Sequence, residues 1–213
     1  METVKVKCES DKQRSGLKRL QILERVLALF CISIPVLLWL ADDQSGWRGS
    51  ISGYAYMSRS YLFGLVLTVA AMMFIFNGIL YYDKAAVSGT GYSAEFGRWY
   101  NIILGLALLG VVLVPYGDSE LFHYAFASIF FLGGALCVAL FSEKRHKRIS
   151  VCIAVLSVVG LAAHYAFDGL YSLLVGEWIA LTVLAVHYIM ESSGSITFSK
   201  GKWLPKVIRQ CDK

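Results

Sequence analysis

Charge is what this sequence has least of. Asp, Glu, Lys and Arg together make 16% of its 213 residues, against 57% hydrophobic. A water-soluble domain needs a polar surface, and this composition cannot cover one. The same apolar content excludes a disordered chain. Regular apolar–polar alternation is missing too, which excludes a membrane β-barrel. Cys8, Cys31, Cys137, Cys152 and Cys211 do not form the even, closely spaced framework of a secreted mini-protein. There is no Asn-x-Ser/Thr sequon. HExxH, HxxxH and CxxC are all absent, so no compact metal signature exists. "GSISG" at Gly49–Gly53 fails as a nucleophile elbow, because its third residue is Ile51. What remains is an integral membrane protein, with a mean hydropathy of +0.59.

Apolar runs are what the chain has in quantity. A helix needs about 20 apolar residues to cross the hydrocarbon layer. Six stretches qualify: Ile22–Ala41, Tyr61–Tyr82, Trp99–Tyr116, Leu121–Ser142, Ile149–Phe167 and Leu170–Met190. The first starts late and ends in "WLADDQ", so a cleaved signal peptide is not expected. The expected fold is all-α: a polytopic six-helix transmembrane bundle over 22–190, between basic tails at 1–21 and 191–213.

Lysine and arginine set the expected orientation. They gather in the first tail (Lys5, Lys7, Lys12, Arg14, Lys18, Arg19), in the second loop (Lys84, Arg98), in "SEKRHKR" and in the last tail. The odd loops are poorer: Arg48 and Arg59 stand against Asp42 and Asp43, and "GDSE" has no base. Both termini are therefore expected in the cytoplasm, in a plasma or inner membrane. The basic tails read first as this topology signal and second as contacts for anionic lipid heads. No motif supports nucleic-acid binding, and the oligomeric state is not readable.

Membrane helices pack through small residues. Gly105 and Gly110, then Ala127, Gly133, Gly134 and Ala135, then Ser157, Gly160 and Ala163 mark the expected contact faces. Pro35 is expected to bend the first helix and Pro115 to end the third. Asn77 and Asn101 read as interhelical hydrogen-bonding residues, and His187 as structural. Charged groups are missing from the middle of the spans, and no pair of broken helices marks a transporter.

The stretch "HYAFDGLYSLLVGEWIAL", His164–Leu181, keeps three ionisable groups among apolar neighbours. His123 opens the fourth span. His164 lies near the outer end of the fifth, four residues before Asp168. Glu177 lies roughly 10 Å into the sixth at 1.5 Å per residue. Both histidines fall in register with small residues, so both are expected to point inward. A glutamate at that depth needs a partner. Three readings fit. The groups clasp the outer helix ends together. They line a polar pocket for a lipid head or other small ligand. Or His123, His164, Asp168 and Glu177 hold zinc, which with water would make a lipid hydrolase. A scaffold or subunit read through its cytoplasmic tails is a further class, and cofactors are otherwise unknown.

"GSISGYAYMSRSYLFGLVL" (Gly49–Leu67) resembles a segment of bacterial and archaeal six-helix membrane proteins of unknown function. There, an Ile-Ser-x-Tyr-Tyr-Tyr-like stretch precedes an arginine and a Phe-Gly helix start. The chain is also distantly similar to the FRAG/DRAM/SFK-like six-helix family, in "FHYAFASIFFLGGAL" (Phe122–Leu136) and "GEWIALTVLAVHYI". Ala55 interrupts the tyrosine run. The resemblance implies Ser52, Tyr54, Tyr56, Arg59, His123 and Glu177 as candidate ligand-binding residues, joined by His164 and Asp168 from the reading above. It implies a role in lipid organisation or membrane signalling. Ceramidase and adiponectin-receptor-like zinc hydrolases share only the chemistry of the constellation, because this chain lacks their paired histidines on the last helix. The first outer loop is long enough to fold over the bundle mouth, with Arg59 expected to pair with Glu177 or Asp168.

Overall fold

A computed structural model describes residues 2–88, 100–141, 147–167 and 171–192. Asp168, Trp99, Ser142, most of "SEKRHKR" and the last tail lie outside the described residues. The described residues are helical wherever the sequence is continuously apolar, and no strand occurs among them. The helices are α1 (Glu2–Ala41), α2 (Ser60–Ser88), α3 (Tyr100–Leu113), α4 (Glu120–Ser128), α5 (Gly134–Phe141), α6 (Lys147–Ala166) and α7 (Leu173–Ser192). A π-turn over Ile129–Gly133 joins α4 to α5 in one rod.

Among the described residues, five stretches are long and apolar enough to cross a membrane: Gln21–Ala41, Ser60–Leu80, Glu120–Leu140, Lys147–Ala166 and Leu173–Met190. The third expected span is a shorter apolar helix of 14 residues. Pro115 explains its early end. It follows the helix without an amide hydrogen to donate, and its carbonyl accepts from Asp118 N in the turn (3.0 Å). At the other end of the chain, α1 runs back to Glu2, through the segment read as a tail.

The elements close a ring. α1 packs on α2 and α7, α2 on α3, α3 on α4, the α4–α5 rod on α6, and α6 on α7. Leu27, Ile34, Leu38, Phe74, Leu104, Phe130 and Tyr188 fill its centre. The outside carries Leu29, Leu65, Phe76, Ile103, Leu106, Leu136 and Leu156, all exposed. An apolar outer face of that extent is unstable in water and normal against lipid tails.

Small residues set the closest contacts. A Cβ on Gly105 would sit 2.6 Å from the Ala71 carbonyl oxygen, and one on Gly176 would sit 2.7 Å from that of Gly160. Gly133 behaves differently from the expectation: a Cβ there meets only Ile129 of its own turn, at 4.0 Å. The π-turn rotates it off the packed face. At the end of the bundle away from the first loop, Asn101 Nδ2 donates to Asn77 Oδ1 (2.5 Å) and Tyr188 OH to Asn101 Oδ1 (2.7 Å). These bonds tie α2, α3 and α7.

Candidate functional site: a roofed cleft between α4 and α6

The α1–α2 loop folds back over the helix ends because its own residues bind one another first. Arg48 grips Asp42 with two bonds, Nε to Oδ2 at 2.5 Å and Nη2 to Oδ1 at 3.1 Å. That bond holds the Asp42 carboxyl below its ordinary value. The Arg48 guanidinium lies 5.8 Å from the centre of the Tyr54 ring. Burial in turn pushes the Tyr54 phenol up. Gly46, with φ +126°, supplies the left-handed residue at which the loop reverses. Trp47 stacks on Trp39 at 5.1 Å and leans on Trp178 at 5.6 Å, while Trp178 Nε1 donates to the Ile32 carbonyl (3.0 Å).

This anchoring brings backbone to the start of α7. The first amides of a helix have no partner within it. Leu174 N donates to the Gly49 carbonyl at 2.7 Å. Ile51 N in turn donates to Glu177 Oε2 at 2.6 Å. A one-turn 3₁₀ helix, Ser52–Tyr56, continues the roof. Ser50 Oγ accepts from Gly53 N (3.0 Å) and lies 3.0 Å from Ser52 Oγ.

Beneath the roof lie two connected spaces. A chamber of about 40 Å³ reaches into the core between Ile34, Phe74, Leu108 and Phe130. A cleft of about 280 Å³ lies between α4 with its π-turn and α6. Ser52, His123, Ala127, Phe131 and Glu177 line both. Toward the outside the cleft is walled by Tyr124 and Leu132 on one helix and Val158, Leu161, Ala162 and Tyr165 on the other. Glu177 is 8% exposed and His123 4%. His123 Nδ1 lies 2.8 Å from the Val114 carbonyl. A carbonyl only accepts, so Nδ1 carries the hydrogen, and Nε2 of the neutral ring is an acceptor. Among the described residues Ile51 is the sole hydrogen-bond partner of Glu177, and Nε2 of His123 has none.

Of the residues singled out in the sequence, the fold brings Ser52, His123 and Glu177 to the cleft. It does not bring the others. His164 is half-buried and its Nδ1 binds the Tyr171 carbonyl at 2.9 Å. Its small-residue face, with Ser157 and Gly160, is the face α6 turns to α7. The cleft wall is the adjacent face, Val158, Leu161, Ala162 and Tyr165, whose spacing is also helical. Arg59 does not close the pocket. It is half-exposed and pairs with Asp43 at 3.5 Å, the nearer carboxylate along the chain, which Ser58 also binds. The place expected for it at Glu177 is taken by the Ile51 amide. Tyr54 is buried inside the loop. Tyr56 OH accepts from Gly117 N (2.5 Å) and ties the roof to the α3–α4 turn. Asp168 lies outside the described residues.

Among the described residues, no three His, Cys, Asp or Glu side chains come close enough to hold a metal ion. His123 and Glu177 share the cleft, but His164 faces elsewhere. The donors described thus do not fit a zinc centre. The partner of Glu177 left no mark in the sequence, since every residue but proline has an amide to offer. Tyr124 and Tyr165 line the cleft as well, and nothing in the sequence singled them out.

The model of a family of unknown function, DUF7103, matches residues 33–192, and the chain belongs to that family. The matched region begins at residue 33, within α1, and ends with α7, so it takes in α2 to α7, the roof and the cleft. No curated protein and no solved structure matches the chain.

Proposed function

We propose that this protein is a non-catalytic membrane binding protein. In this reading it receives the polar end of an amphiphile under the first loop and lets its chain leave sideways between α4 and α6. The observation that carries the reading is the cleft itself. Its mouth is made of exposed apolar side chains and two tyrosines, and its floor holds a buried carboxylate and an imidazole. A buried carboxylate with one hydrogen bond is costly, and a ligand supplying more would lower that cost. The exposed apolar side chains of the helices on both sides support a mouth that opens toward lipid tails. In this reading the cleft lies in the outer half of the membrane with both termini cytoplasmic, the orientation that the positive-inside pattern of the sequence supports.

The test is native mass spectrometry of protein purified in mild detergent, wild type beside Ala162→Trp. Ala162 is exposed on the cleft wall, so an indole there fills the mouth without entering the core. The wild type is expected to retain an amphiphile that the variant loses. Equal lipid content in both folded proteins would refute the reading.

A further inference from the structure

The chemistry of the cleft selects the head group. Its two deepest polar groups are Glu177 and His123 Nε2, which are both acceptors when the carboxylate is ionised and the ring neutral, and neither has a cation beside it among the described residues. The loops at this end contribute only two basic residues, Arg48 and Arg59. Both are bound within the roof, to Asp42 and Asp43. Residues 168–170, which follow α6 in the sequence, are Asp-Gly-Leu and include no lysine or arginine. A phosphate or carboxylate head would therefore meet a carboxylate and a lone pair in a low-dielectric space. Repulsion and lost hydration would both oppose it. A donor head meets two acceptors instead. The aromatic faces of Tyr124 and Tyr165 at the mouth add attraction for a cation.

Size narrows the class further. About 280 Å³ falls just below the usual range for pockets that enclose a drug-sized ligand. It holds a head and the first methylenes of one chain. A glycerol backbone bearing two acyl chains would have to pass both through the same mouth.

We infer that the cleft recognises single-chain amphiphiles through a hydrogen-bond-donating head, a protonated amine or a hydroxyl, and rejects anionic heads. This inference rests on the amphiphile-binding reading above. The head would donate to the free oxygen of Glu177 and to His123 Nε2, with Ser52 Oγ beside them. The alkyl chain would run out past Leu132 and Leu161.

The experiment is photolabelling of the full-length protein in phosphatidylcholine nanodiscs. The probes are diazirine-bearing hexadecylamine, hexadecanol, palmitate and a lysophosphatidate at equal concentration. The amine or the alcohol is expected to label peptides of α4 and α6 by roughly tenfold or more over both anions, a 1.4 kcal/mol preference. Ala162→Trp should abolish that labelling. Glu177→Gln keeps an acceptor for the Ile51 amide and removes the charge. Loss of amine labelling with retained alcohol labelling in that variant assigns the ammonium, and loss of neither assigns the hydroxyl. Anionic probes that label as strongly as the others, and are blocked by Ala162→Trp, overturn the head-group inference and leave the cleft reading standing. Labelling that Ala162→Trp does not change overturns both.

Discussion

Replacing Glu177 by alanine removes the acceptor of the Ile51 amide, and with it a hydrogen bond that joins the middle of the roof to the body of α7. Two effects follow. A hydrogen bond to a charged group contributes about 1.5–3 kcal/mol, and its loss leaves a buried N–H without a partner. Against this, the variant no longer buries a carboxylate that lacks a cation. Glu177→Gln separates the two. It keeps an oxygen for Ile51 and discards the charge. Alanine is expected to lower stability by roughly 1.5–3 kcal/mol, which for a chain of this size moves the melting temperature down by about 3–12 °C. Glutamine is expected to leave it unchanged or raise it. Intrinsic fluorescence during a thermal ramp in detergent reads this directly, because Trp39, Trp47 and Trp178 stack at the anchored part of the same loop. A glutamine variant that melts as early as the alanine one would refute the argument, since charge and not the hydrogen bond would then hold the roof.

Other perturbations probe the rest of the frame. Gly105→Val places a branched side chain where a Cβ already meets the Ala71 oxygen at 2.6 Å, and should cost about 1–3 kcal/mol by overpacking. Gly133→Ala, with nothing nearer than 4.0 Å, should be close to neutral in the same melts. Asn101→Leu breaks the bonds to Asn77 and Tyr188 and should cost about 1 kcal/mol, near twice the average of roughly 0.6 for one polar contact in a membrane bundle. Because Arg48 depresses the Asp42 carboxyl, the stability this pair gives the roof is full above the carboxyl's ordinary value of 3.8. It is lost as pH falls through the lower folded value. Tryptophan emission should report a loosened loop in that acid range, and Asp42→Asn should be loosened already at neutral pH and lose the transition.

Much of the frame was legible before any coordinates. Continuous apolar runs specify helices in lipid, because only a helix satisfies every backbone group within its own segment. Gly105 and Gly160 marked helix contacts, since a missing side chain is what lets backbones approach. Asn77 and Asn101 were read as interhelical partners, and Pro115 as a helix end, from chemistry that acts locally. His123 and Glu177 were found because ionisable groups in an apolar run stand out.

Where those groups point, and what they meet, lay beyond the sequence. His164 looked like a member of the site because the small face of α6 was taken as the inward one; the fold turns that face to α7 and gives the cleft to the neighbouring face. The difference is a rotation of less than half a turn, and a sequence pattern leaves it open when both faces are apolar. Arg59 was matched to Glu177 by charge alone, yet Asp43 is closer along the loop and binding it orders less chain. The partner that does reach Glu177 is the amide of Ile51, carried there by the Arg48–Asp42 clasp and the tryptophan stack. Composition and periodicity therefore determined the solvent, the helices and the scarce polar groups of this protein. Only the tertiary structure decided which of those groups share a space, because that depends on helix phase and on the path of a folded loop.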